Sequence, residues 1–119
     1  MIAQKLALIV GGAVLVAAMP LGGCARAEGF TGEEFLKWER ASQDSLIQIS
    51  ITMTGIVATQ GRKDISRCID DWYSDNENLQ TQRHEEILQT IRENPEFHPQ
   101  GVVLAVIQQQ CGSFEESPR

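Results

Sequence analysis

With 119 residues, 42% of them hydrophobic and 22% charged, the chain has room for one small domain and no second core. Ten Lys and Arg stand against 16 Asp and Glu, a net charge of −6. That balance excludes a nucleic-acid partner, because neutralising phosphates needs a basic face.

Residues 1–27 have the layout of a secretory signal peptide. Lys5 supplies the one positive side chain of the leading segment, Leu6 to Ala18 is an unbroken run of apolar residues and glycines, and Met19 to Ala27 holds Pro20 and small residues. A membrane span would need about 20 apolar residues, and Gly11, Gly12 and Pro20 weaken that reading further. Two cleavage sites compete. Ala25-Arg26-Ala27 fits the small-x-small rule, whereas Leu21-Gly22-Gly23-Cys24 resembles a lipobox, whose cysteine becomes lipid-modified. The first predicts a free periplasmic protein, and the second one tethered to a bacterial membrane through Cys24. Removing residues 1–27 takes away Lys5 and Arg26 and no acid, leaving 8 basic against 16 acidic side chains, a net −8. Such a surface would steer a basic protein partner, or simply keep the domain soluble.

Either cleavage leaves Cys68 and Cys111 as one pair in an oxidising compartment, where a disulfide is the default. In the chain-entropy description the bridge is worth roughly 4 kcal/mol, a large contribution to so small a domain.

Residues 28–119 read as an all-α domain, a small bundle of about four helices closed by that disulfide. Thr31 and Glu34 stand at capping-box positions and Phe30 and Phe35 at the hydrophobic staple, predicting a helix that ends near Ser42. From Ser42 to Gln60, Leu46, Ile49, Met53 and Ile56 or Val57 recur at helical spacing, with Ile47, Ile51 and Ala58 widening the stripe. This predicts a central helix with that stripe in the core. Gly61 to Asp64 reads as a loop and Ile65 to Tyr73 as an irregular arm. Ser74 to Asn78 is a polar turn rich in residues that hydrogen-bond their own backbone. Leu79 to Glu93 follows as a helix, with Asn78 as its cap and His84, Ile87, Leu88 and Ile91 on one face. Pro95 stops that helix and Pro99 fits the first turn of the next, Gln100 to Gln110. A polar tail from about residue 112 is expected to fray.

The acidic segment offers the partner-binding candidates: Asp70, Asp71, Asp75 and Glu77 beside Trp72 and Tyr73. Aromatic rings on an acidic loop suit protein recognition; the alternative is a solvated loop whose rings pack inward over the disulfide. No catalytic constellation stands out. His84 lies between the apolar and polar faces of a helix and His98 at an N-cap, and no glycine loop for phosphate, C-x-x-C pair or calcium-loop spacing occurs. Neither cofactor nor metal is expected, and the reading is of a non-enzyme.

With these elements in place, the chain resembles the Tai family of periplasmic immunity proteins. The matching features are Phe35-Leu36 opening the first helix, Ser42 to Gln60 with its glycine, and Cys68. They continue in Ile91-Arg92-Glu93-Asn94-Pro95-Glu96 with His98, Val106-Ile107 and Cys111. The resemblance covers about residues 30–111. The family often has further cysteines in its first two helices, where this chain carries Trp38, Ala41 and Ser45, so no second bridge is available. The resemblance implies an all-helical, often dimeric protein that binds a type VI secretion peptidoglycan amidase effector and obstructs its active-site groove. A different expectation is a small periplasmic acid-stress chaperone resembling the Hde type, also helical with one disulfide. A third is a lipoprotein with no soluble target.

Overall fold

The computed structural model describes residues 29–117; the expected signal peptide, with its candidate lipidation site Cys24, lies outside the described residues. Among the described residues there are five helices and no strand: α1 Gly32–Phe35, α2 Arg40–Ala58, α3 Lys63–Tyr73, α4 Glu77–Glu93 and α5 Pro99–Cys111. They form a small all-α bundle closed by the Cys68–Cys111 disulfide, as expected.

α1 starts where the capping signals place it, with the Thr31 hydroxyl accepting from the Glu34 N–H. It ends after one turn, at Phe35 rather than near Ser42. Beyond Phe35 the bonding tightens to three-residue turns, Lys37 N–H to Glu34 O (3.2 Å) and Trp38 N–H to Phe35 O (3.0 Å), which stop the α-helix. The N–H groups of Gly32 and Glu33 donate to the carbonyls of Phe97 (2.8 Å) and Pro95 (2.9 Å), so the turn is anchored on the α4–α5 connection. Gly32 allows that approach: a Cβ there would lie 2.9 Å from Ile91 Cγ2 and 3.2 Å from the Pro95 backbone. Phe30, Phe35 and Trp38 then cluster, Phe30 stacking on Trp38 at 5.1 Å between centroids.

α2 is the central helix, but a different row of its side chains faces inward. Ile47, Ile51 and Ala58 are buried together with Gln43 and Ser50, whereas Ile49, Met53, Ile56 and Val57 are exposed by 59, 56, 53 and 50%. The polar groups in the buried row are satisfied. Gln43 Nε2 donates to the Phe35 carbonyl (3.2 Å), and the Ser50 hydroxyl donates to Leu46 O (2.7 Å) while accepting from Gln100 (3.1 Å). Accommodated in this way, Gln43 and Ser50 can sit inside, and the apolar row beside them stays in water.

Residues 65–73, expected to be irregular, are most of α3. Ile65, Ile69 and Trp72 fall at i, i+4 and i+7 and are all buried, so helix formation supplies the domain with a full apolar face. The disulfide joins the middle of this helix to the last residue of α5, with 5.6 Å between Cα atoms. α3 stops at Ser74, whose φ of 55° is left-handed. That backbone is held on both sides, by its N–H donating to Asp70 O (2.8 Å) and its carbonyl accepting from Gln80 Nε2 (2.6 Å).

α4 is capped by Asn76, not Asn78: the Asn76 side chain accepts from the Leu79 N–H at 3.1 Å, which lets the helix begin at Glu77. His84, Ile87, Leu88 and Ile91 form its buried face, as their spacing predicts. Pro99 opens α5, and His98 Nδ1 accepts from the Gln100 N–H at 3.2 Å. Val102, Val103 and Ile107 close the core against Phe35, Ile47, Ile51 and Ile87. Residues 113–116 follow α5, in the stretch expected to fray. There the Arg62 guanidinium donates to the carbonyls of Ser113, Phe114 and Glu116 while pairing with Asp64 at 3.0 Å.

Candidate functional site

Where the C-terminal half of α2 passes α3 and the α3–α4 corner, a groove of about 660 Å³ opens. Ile51, Gly55 and Ile69 supply an apolar floor, and Ile56 continues it outward onto the exposed row of α2. Gln48, Thr52 and Ser66 contribute polar side chains. The floor is open at Gly55, where a Cβ would approach no closer than 3.7 Å, to Ile69 Cγ2. The ionisable groups that line it are Asp70, Asp75 and the Tyr73 phenol; no basic side chain does.

The sequence-predicted candidates divide sharply by position. Asp70, Asp71, Asp75 and Glu77 are exposed, and of these Asp70 and Asp75 line the groove. Trp72 and Tyr73 are buried, at 5 and 8% exposure, Tyr73 at the wall of the groove. The cause is the helix itself: the end of α3 turns successive residues from solvent to core within one turn. Trp72 packs beneath the Arg83 guanidinium, 5.4 Å from the ring centroid, and the Arg83 Nε donates to the Trp72 carbonyl at 2.9 Å.

Tyr73 leads to an arrangement that no local sequence signal announces. Its hydroxyl lies 2.7 Å from His84 Nε2, and His84 Nδ1 lies 2.9 Å from Asp44 Oδ1. Arg40 pairs with the same carboxylate at 2.9 Å and also reaches Glu85. With Asp44 ionised, the consistent assignment has His84 Nδ1–H donating to the carboxylate and Nε2 accepting from the phenol. Burial pushes the Asp44 carboxyl up, but hydrogen bonds from Arg40 and His84 outweigh it and hold the group below the ordinary aspartate value.

The order carboxylate, imidazole, hydroxyl has the connectivity of an activated nucleophile. Burial first, and then the charge of Asp44, push the Tyr73 phenol up, so the hydroxyl keeps its proton. The three residues bridge α2, α3 and α4, giving the buried Tyr73 hydroxyl and His84 ring their partners, with Asp44 at the solvent edge.

Among the described residues no group of three His, Cys, Asp or Glu side chains is placed to hold a metal ion, and no helix is long and apolar enough to cross a membrane. Comparison with protein-family models, curated proteins and solved structures found no match to the chain.

Proposed function

We propose that the chain is an exported, non-enzymatic binding protein of the Tai immunity type, acting by binding and inhibiting a type VI secretion peptidoglycan amidase effector in the periplasm. The observation that carries this reading is the stretch from Ile91 to Cys111. It bears most of the resemblance, and it is also where the fold converges: it receives α1 on Pro95 and Phe97, starts α5 at Pro99 and ends in the disulfide. The acidic groove beside α3 gives such a protein a surface suited to a basic partner.

The test is a pull-down with the exported protein from its own periplasm and from neighbouring strains, followed by an amidase assay on what is captured. A peptidoglycan hydrolase that co-purifies and is inhibited supports the reading. Capture of no hydrolase from any of these sources overturns it. Charge reversal at Asp70, Asp71 and Asp75 is expected to weaken the complex, and unchanged affinity with an intact fold would remove this segment from the interface. Self-association into a homodimer, which the resemblance implies, is read by sedimentation. Palmitate incorporation abolished by Cys24→Ala would establish the tether, and none in the wild type would leave a free periplasmic protein.

A second reading, the acid-stress chaperone resembling the Hde type, is favoured by one feature: Ile49, Met53, Ile56 and Val57 present an apolar row to solvent. A chaperone of this kind suppresses the aggregation of client proteins at acid pH. Unaltered light scattering by acid-treated clients would discard it.

A further inference from the structure

We infer that the groove between α2 and the α3–α4 corner is the docking site for a basic segment of a protein partner, one that places an arginine or lysine beside an apolar side chain. The inference rests on the reading of this chain as a protein-binding module and specifies the chemistry of what it takes.

The charge of the occupant follows from the lining. Asp70 and Asp75 make no ion pair and no side-chain hydrogen bond among the described residues, and no lysine, arginine or histidine shares the groove with them. An anionic occupant would meet uncompensated repulsion, whereas a cationic one would find both carboxylates unengaged. The floor decides between kinds of cation. Ile51, Gly55 and Ile69 offer apolar contact that a hydrated metal ion or a polyamine would leave unused. Gln48, Thr52 and Ser66, whose side chains have no hydrogen-bond partner among the described residues, can bond to a peptide backbone.

Continuity points to a macromolecule. Ile56 belongs both to the groove and to the exposed row of Ile49, Met53 and Val57. From Ser45 to Gln60 the chain carries no charged residue, although the domain as a whole is strongly acidic. A partner seated on this row is therefore spared the domain's general negative charge until its basic side chain reaches Asp70 and Asp75. Apolar contact along α2 with a cationic tip in the groove is one continuous footprint.

The probe is a fluorescein-labelled peptide, Gly-Leu-Arg-Leu-Arg-Gly, titrated into the purified chain with binding read by anisotropy and by amide NMR shifts. Its counterpart with glutamate for arginine, and spermidine at matched ionic strength, are the controls. The arginine peptide is expected to bind and to move the resonances of Gly55, Ile69, Asp70 and Asp75, with neither control doing so. Asp70→Asn and Asp75→Asn should each weaken binding roughly two- to fivefold, the range for a solvent-exposed ion pair. Gly55→Leu should abolish binding by filling the floor, and circular dichroism identifies any variant that has lost its helices.

Failure of the arginine peptide to bind overturns the inference, as does equal binding of the glutamate peptide, displacement by spermidine, or full affinity in folded Asp70→Asn and Asp75→Asn variants. The two levels of the proposal separate cleanly. An effector that binds the Gly55→Leu protein normally refutes the groove and spares the immunity reading. Peptide binding in a chain that captures no hydrolase does the reverse.

Discussion

His84 Nε2 lies 2.7 Å from the Tyr73 hydroxyl, and the same imidazole reaches Asp44 at 2.9 Å through its other nitrogen. Three residues, one on each of three helices, thereby form a single hydrogen-bonded chain. Its two ends titrate in opposite senses, and both consequences are measurable.

At the acid end, the Asp44 carboxyl is held below its ordinary value although burial opposes this, because Arg40 and His84 donate to it. A folded pKa below the unfolded one contributes stability that is complete above about pH 4 and is lost as pH falls through the folded value. The carboxylate side chain is 37% exposed, so solvent screening limits the effect. Asp44→Asn should cost about 0.5–1 kcal/mol at neutral pH and flatten the acid limb of the stability profile. Urea unfolding at a series of pH values reads both, and superimposable acid limbs would contradict the assignment.

At the alkaline end, Tyr73 has a raised pKa, from burial and from the nearby Asp44 charge. A raised folded pKa contributes stability that is present below the unfolded value, about 10, and is lost as pH rises through the folded one. Tyr73 is the only tyrosine in the chain, so phenolate absorbance reports it without interference. The native protein should ionise later than the urea-unfolded protein, and Asp44→Asn should bring the native value part of the way back. Coincident titrations of native and unfolded chains would rule this out.

The Cys68–Cys111 bridge joins residues 43 positions apart. Paired replacement by serine should remove roughly 2–5 kcal/mol of stability, enough to leave a domain of this size largely unfolded at body temperature. Equal urea midpoints for the bridged and serine proteins would show that packing of α3 on α5 suffices without it.

Two glycines should respond oppositely to the same substitution. Gly32→Ala forces a methyl against Ile91 and the Pro95 backbone and should cost roughly 1–3 kcal/mol. Gly55→Ala meets only ordinary contact with Ile69 and gains helix propensity, so it should be neutral or stabilise by up to about 1 kcal/mol. Thermal unfolding of the pair is the measurement, and two changes of the same sign would refute the packing described around α1.

The closing hairpin was the most legible part of the chain. Pro95, Pro99 and the apolar row of α4 act through local rules, and the structure places them as those rules require. α3 was legible in principle, since Ile65, Ile69 and Trp72 hold helical spacing, but the intervening charges and the lack of a side-chain cap at Arg62 hid its start. The buried row of α2 was not legible. Both rows hold apolar residues and no charge after Asp44 marks the solvent side; the row with Gln43 and Ser50 is selected by a contact from Phe35 before the helix and by one from Gln100, distant in sequence. At the candidate site the acidic positions stood out, whereas the burial of Trp72 and Tyr73 depended on α3 being helical. The Asp44–His84–Tyr73 chain had no signal of its own, because its members meet only after three helices have packed.

The backbone bonds from Gly32 and Glu33 to Phe97 and Pro95 close almost the whole described chain into one loop. The first helical turn of the described residues has its docking partners only in the segment that reaches residue 97, and closing so long a loop carries an entropic cost that other contacts must offset. Among the described residues, the segment earliest in the chain is thereby fastened to one of the latest, and the cluster of Phe30, Phe35 and Trp38 is held over that junction.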